Sequence, residues 1–91
     1  MPYVAFIHHE LNTGYGISFP DVPGCVSIGD TLEEAIRHGC EALAFHLDGL
    51  ISDGESVPSP RSIEEVKADD SLVDWRSGAD IVLVPALSDR G

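Results

Sequence analysis

One amphipathic pattern in the middle of the chain constrains the fold more than any other feature. Apolar residues recur there at three- and four-residue steps, the spacing that gathers them on one face of an α-helix; they are Leu32, Ala35, Ile36, Cys40, Leu43, Leu47, Leu50 and Ile51. The pattern predicts a helix of about 22 residues that ends before Gly54. A helix with a single apolar stripe must bury it, so the rest of the chain has to supply a sheet.

The start of this helix carries two overlapping capping signals. Asp30 with Glu33, and Thr31 with Glu34, each have the spacing of a capping box, so either Asp30 or Thr31 can be the N-cap. Acidic side chains in the first turn also suit the positive end of the helix dipole. The sequence does not decide which of these two residues is the N-cap.

Two strand-like runs precede this region. Residues 3–9 are mostly apolar on both alternating faces, which is typical of a central strand. Residues 12–14, Asn-Thr-Gly, form a turn signal, and residues 15–19 form a second strand-like run. The two runs therefore predict a β-hairpin.

The segment between the hairpin and the long helix changes the direction of the chain, and we call it the corner. Pro23 and Gly24 favour a tight turn, and residues 25–28 form a short third strand that Gly29 ends. We therefore assign architectural roles to Pro23, Gly24, Cys25, Gly29, Asp30 and Thr31.

The remainder of the chain contains two further elements. A Pro- and Ser-rich loop over residues 54–62 leads into a short helix over about residues 62–67. Residues 68–78 are polar and acidic, without a clear periodicity. Residues 79–85 form a near-continuous aliphatic run, which predicts a last strand buried on both faces.

The order of these elements, β-β-β-α-(α)-β, indicates an α+β fold in a single domain over residues 1–91. We expect a small mixed sheet, made of a three-stranded antiparallel meander plus the C-terminal strand, with one long helix on one face. No second long helix is available for the opposite face. This predicts a homo-oligomer or a partner docking there.

The charge balance limits the classes of partner. Sixteen acidic residues stand against five Lys and Arg, a formal net charge of −11. Direct binding to nucleic acid is disfavoured, because cations supply most of that affinity. The acidity favours a well-solvated surface or a basic protein partner. No signal peptide and no apolar run of about 18 residues is present, and two cysteines predict free thiols and a cytoplasmic location.

The residues that most often carry metal or nucleophilic chemistry are poorly arranged for it. His8 and His9 are neighbours on a strand and point to opposite faces, and His38 and His46 are separated by about 12 Å of helical rise. Both cysteines are best explained as small core residues. We therefore expect no metal site, no cofactor and no catalytic residue.

One enzymatic alternative survives. Ribonuclease-H-like nucleases have the same β-β-β-α-β order of elements. They carry acidic residues on several of these elements, and the carboxylates bind divalent metal ions. An active site of this kind would draw on residues such as Asp21 or Glu34. The first strand, however, carries no carboxylate between Tyr3 and His9, which argues against a nuclease.

The combined motif resembles the HicB antitoxin family. It consists of Tyr15–Phe19, Asp21-x-Pro23-Gly24-Cys25, Gly29-Asp30-Thr31-x-Glu33-Glu34-Ala35 and the IEEV segment at 63–66. The resemblance implies a partial ribonuclease-H-like fold without nuclease activity. It also implies a partner, HicA, a small basic toxin that cleaves mRNA with a histidine and whose RNA-binding and catalytic surface the antitoxin masks.

Many members of that family continue into a ribbon-helix-helix or helix-turn-helix domain that binds DNA. This sequence ends at Gly91, and we expect neither domain within it and no direct DNA binding from this chain alone. It is either a short-form member of the family or a piece of a longer protein, and both alternatives stay open.

The expected contacts with a toxin lie on the long helix. They are its outward acids and one aromatic residue off the main apolar stripe: Glu33, Glu34, Glu41, Phe45 and Asp48. Aromatic residues are enriched in protein interfaces. A stand-alone oligomeric regulatory module, without a toxin, remains a further alternative.

Overall fold

The computed structural model describes residues 2–10 and 14–86, and its elements follow the expected order. They are β1 (Pro2–Glu10), β2 (Gly14–Ser18), β3 (Val26–Gly29), α1 (Leu32–Ser52), α2 (Ile63–Lys67), a 3-10 turn (Asp70–Leu72), α3 (Val73–Arg76) and β4 (Asp80–Pro85). The predicted hairpin, long helix, short helix and last strand are confirmed. The predicted turn falls on residues 12–14, of which 12 and 13 lie outside the described residues.

The sheet has the strand order β3-β2-β1-β4, and every neighbouring pair is antiparallel. The central position predicted for β1 is confirmed, since residues 3–7 are all buried. The expected mixed sheet is wrong. Residues 53–79 carry the chain back along the sheet, so β4 begins beside Ile7 and runs toward Pro2, antiparallel to β1.

The last strand is less buried than its aliphatic sequence predicts. Burial on both faces is wrong for β4, because the strand lies at the edge of the sheet. Val84 is its one buried residue, and the Leu83 side chain is 51% exposed. A continuous aliphatic run marks a buried strand only where neighbouring elements cover both of its faces.

Each face of β1 contributes to a different hydrophobic core. Tyr3, Ala5 and Ile7 face α1 and pack in a cluster with Leu43 and Leu47. The other face presents Val4 and Phe6 to the second cluster.

That second cluster corrects one expectation of the sequence. Val66 of α2 and Leu72 of the 3-10 turn pack against Val4 and Phe6. The sheet face opposite α1 is therefore partly covered, by short elements that include the unpredicted segment over residues 70–76. This segment is too short to show helical periodicity in its sequence.

The corner between β2 and α1 is built by glycines at two positions. Gly24 has a φ of +85°, and the Cys25 amide donates a hydrogen bond to the Val22 carbonyl at 3.1 Å, as a turn with glycine at its third position requires. A Cβ atom at Gly29 would collide with the backbone of Ala35. The chain can enter α1 so closely only because residue 29 has no side chain.

Candidate functional site

The long helix begins with the second of the two possible caps. Thr31 has an extended backbone, and its hydroxyl accepts a hydrogen bond from the Glu34 amide at 3.1 Å. The Glu34 carboxylate in turn accepts the Asp30 amide at 3.3 Å. Among the acids expected to contact a partner, Glu34 is therefore engaged in the start of its own helix.

Packing against the sheet fixes which side of α1 faces outward. Its buried side consists of Ala35, Gly39, Leu43 and Leu47. This orientation leaves Glu33 and Glu41 exposed on the opposite side and Asp48 half-buried beside them. Phe45 lies among these acids, and its side chain is 83% exposed. We call Glu33, Glu41, Phe45 and Asp48 the acidic helix face.

Space is available beside the Phe45 ring. Gly49 lies one turn further along the helix, where side chains four residues apart are neighbours, and a Cβ atom there would meet no other atom within 4 Å. A surface hollow of about 340 Å³ opens at this point and is lined by Phe45, Gly49 and Leu50, among others. An aromatic side chain and an adjoining hollow can both receive an apolar group of a partner.

The charge of α1 is one-sided. Its four carboxylates are accompanied by one cation, Arg37. The last turn has no basic residue, and Asp53 caps it. Acids at this end of the helix oppose the helix dipole rather than favour it. An exposed ring framed by carboxylates matches a basic protein surface.

A second acidic cluster links the corner to the start of α2, and no sequence pattern predicted it. The Asp21 side chain is 5% exposed and accepts two hydrogen bonds from Arg61, from Nε at 2.6 Å and from the backbone amide at 2.7 Å. Arg61 also donates to Asp69 at 3.0 Å. Hydrogen bonds from Ser71, followed by those from Arg61, lower the pKa of Asp69 to about 2. Forty residues separate Asp21 from Arg61, beyond the reach of local patterns.

The groups considered for catalysis are held in structural positions. Cys25 is buried, and desolvation raises the pKa of its thiol, which reduces the thiolate fraction. Asp21 is bound to Arg61 and Glu34 to the helix cap. Within residues 2–10 and 14–86, no group of three His, Cys, Asp or Glu side chains is arranged to hold a metal ion. No helix in the described part of the chain is long and apolar enough to cross a membrane.

Comparison with known proteins assigns this arrangement to a family. The model for the HicB-like antitoxin of bacterial toxin–antitoxin systems matches residues 3–86. The chain belongs to the HicB-like antitoxin family. The residues that the family model matches include both hydrophobic cores, the corner and the acidic helix face.

Relatives in sequence and structure agree with this membership. Antitoxin HicB 2 of Photorhabdus laumondii subsp. laumondii is 39% identical over 57 residues, which cover 63% of this chain and 40% of that antitoxin. The crystal structure of the N-terminal domain of the Burkholderia pseudomallei antitoxin HicB superposes with a TM-score of 0.74 at 32% identity, covering 93% of this chain and 96% of that domain.

A second similar structure comes from a complex. A chain of the HicA3 and HicB3 toxin–antitoxin complex superposes with a TM-score of 0.74 at 29% identity, covering 98% of this chain and 99% of that one. The chain thus spans about two fifths of the length of the curated HicB antitoxins it matches, 40% and 39% for the two from Photorhabdus laumondii.

Proposed function

We propose that this chain is an antitoxin that binds a small basic, mRNA-cleaving toxin of the HicA type and masks its RNA-binding and catalytic surface. The inhibition is non-enzymatic, needs no cofactor and takes place in the cytoplasm, where the toxin meets mRNA. The observation that carries the proposal is Phe45, which is 83% exposed between Glu41 and Asp48 on the acidic helix face of a member of an antitoxin family. A similar chain is found in a complex of HicA3 with HicB3.

Electrostatics favours a basic partner of this kind. A protein that cleaves RNA must present cations to phosphates, and those cations attract carboxylates equally well. The net charge of −11 steers such a partner toward this chain. Exposed Glu33 and Glu41 then occupy the positions that phosphates would otherwise take.

Phe45 supplies the apolar part of the contact. Charged pairs at the rim of an interface contribute mainly to association rate and specificity, whereas a buried aromatic anchor contributes most to affinity. We expect the ring to be covered by the toxin. Its removal by Phe45→Ala should cost about 2 kcal/mol of binding free energy, or about a 30-fold rise in Kd.

The experiment first establishes whether a reading frame for a small basic HicA-type protein adjoins the gene of this chain, and it uses that protein as the probe. Growth is measured on co-expression, and Kd is measured by calorimetry at two salt concentrations. Phe45→Ala and Glu41→Lys are compared with Glu64→Lys, which makes the same charge change at an exposed site on α2. Far-UV circular dichroism checks that each variant is folded.

The expected result is that the wild-type chain restores growth and binds more weakly at high salt. Phe45→Ala and Glu41→Lys should weaken binding, while Glu64→Lys should bind almost as the wild type does. Failure of the wild-type chain to bind or neutralise the toxin refutes the antitoxin role. Equal binding by all variants keeps that role but refutes the acidic helix face as its site.

A further inference from the structure

We call the sheet face opposite α1 the outer sheet face. The short elements that cover part of it extend only as far as Trp75. This side chain packs edge-on against Phe6 with ring centroids 5.5 Å apart, and its Nε1 donates to the Ser18 hydroxyl at 2.9 Å. Beyond β2 no described element of the chain lies over this face. The side chains of β3 there are exposed, Val26 by 64% and Ile28 by 75%.

The registers place these side chains in two rows across the sheet. His8, Gly16 and Ile28 are aligned across β1, β2 and β3, and Ser18 is aligned with Val26. Aligned residues of antiparallel strands share a face. Together they line a shallow hollow of about 470 Å³. Ser18 is buried and bonded to Trp75, so we call only His8, Gly16, Val26 and Ile28 the open sheet patch.

We propose that the open sheet patch is the contact through which two copies of this chain form a dimer. The first argument is charge. The chain carries a net charge of −11, and none of the described residues that line the hollow is a carboxylate, a lysine or an arginine. A basic toxin finds no complementary charge here, whereas two equally acidic copies can approach each other where neither presents charge.

The second argument is shape. Gly16 lies in a strand interior, where glycine weakens the sheet and often marks the close approach of another chain. A Cβ atom at Gly16 would meet no atom within 4 Å, so packing within the chain does not require a glycine. Gly16 forms a depression directly beside the protruding Ile28. In a twofold dimer, each Ile28 enters the depression of the other copy, since the same patch serves both partners.

Contact through the face is favoured over pairing of the β3 edges. The imidazole Nδ1 of His38 lies 2.8 Å from the Ile28 carbonyl oxygen and donates to it. That oxygen is therefore already occupied by α1. The patch is smaller than the about 20–30 residues a side of a standard interface, so we expect a dimer that dissociates at low protein concentration.

The dimer is compatible with the acidic helix face. α1 covers the sheet face opposite the open sheet patch, so both acidic faces of a dimer stay accessible. If the proposed antitoxin function holds, one dimer therefore binds two toxins; the dimer itself does not depend on that function.

Sedimentation velocity at 5, 50 and 200 µM protein in 0.1 and 0.5 M NaCl tests the proposal. The variants are Ile28→Ser, which removes the protrusion, and Gly16→Leu, which fills the depression and whose Cβ atom meets no other atom of the chain within 4 Å. Leu83→Ser is the matched control, because Leu83 is 51% exposed on the opposite edge strand. None of these substitutions changes the net charge.

The wild type and Leu83→Ser should shift from monomer to dimer with concentration, more so at high salt, because salt screens the repulsion between acidic copies. Ile28→Ser and Gly16→Leu should raise the dimer Kd at least tenfold while keeping the wild-type circular dichroism spectrum. A wild type that stays monomeric at 200 µM overturns the proposal, as does a dimer unaffected by both variants. If both variants lose toxin binding but keep the dimer, the patch belongs to the toxin and the proposal is wrong.

Discussion

The same substitution at two glycines of α1 should change stability in opposite directions. Alanine is favoured over glycine in a helix interior by about 1 kcal/mol. Gly49 is exposed and a Cβ atom there meets nothing within 4 Å, so Gly49→Ala should realise this gain. Gly39 is buried, and a Cβ atom there would lie 2.9 Å from both Cδ1 and Cγ2 of Ile17.

The magnitudes follow from these distances. Overpacking a filled core costs about 1–3 kcal/mol, which offsets or exceeds the helix gain at Gly39. Gly39→Ala should therefore be about 1–3 kcal/mol less stable than Gly49→Ala. For a domain of this size each kcal/mol shifts Tm by about 4–8 °C. Gly49→Ala should melt about 4–8 °C above the wild type, and Gly39→Ala at or below it.

Thermal melts by circular dichroism and urea titrations of the Trp75 fluorescence measure the difference, at one protein concentration because association shifts Tm. Trp75 is the one tryptophan in the chain. In an Ile17→Val background, which removes Cδ1, the cost of Gly39→Ala should shrink. Equal stabilisation by both alanines would refute the close packing of α1 on β2. A loss at both positions would refute the open surroundings of Gly49.

Two further predictions concern the cluster around Arg61. Asp21→Ala removes a nearly buried carboxylate that accepts two hydrogen bonds from Arg61. It should lower the free energy of unfolding in urea by about 2–4 kcal/mol. The control Asp74→Ala, at an exposed site, should change that free energy by less than about 0.5 kcal/mol, and equal effects of the two substitutions would contradict the cluster. The folded-state pKa of Asp69 is lowered from 3.8 to about 2 by Ser71 and Arg61, so its contribution is present above pH 3.8 and is lost as the pH falls toward 2. Asp69→Asn should flatten the pH dependence of stability in this window, and an unchanged acid titration of stability would contradict the assignment.

The local elements were predictable because each has a short-range signal. The central position of β1 follows from apolar residues on both of its faces. The short helix α2 was predicted after the Pro- and Ser-rich loop, and the structure shows that a capping box of Ser62 and Glu65 starts it. The start of α1 was predicted only to within two residues. Asp30 and Thr31 each have a glutamate three residues later, and only backbone geometry selects Thr31.

The features that the sequence did not predict depend on contacts between residues that lie far apart in the chain. The aliphatic run of β4 looks buried, but its exposure is set by its place at the sheet edge. Asp21 meets Arg61 across 40 residues of chain, a stretch that includes β3 and α1. At the candidate site, the sequence predicted Phe45 as exposed, because it lies off the apolar stripe. The depression at Gly16 was not predicted, since it exists only between paired strands.

The pairing of β1 with β4 has a consequence for synthesis on the ribosome. Residues 2–7 are made first but find their partners in residues 80–85, so one edge of β1 keeps unpaired backbone groups until nearly the entire domain has emerged. Val4 and Phe6 likewise wait for Val66 and Leu72 to cover them. Non-local pairing of this kind slows folding and exposes an aggregation-prone edge. We therefore expect a nascent chain stalled between α1 and β4 to be bound by chaperones or cut by proteases before it can fold.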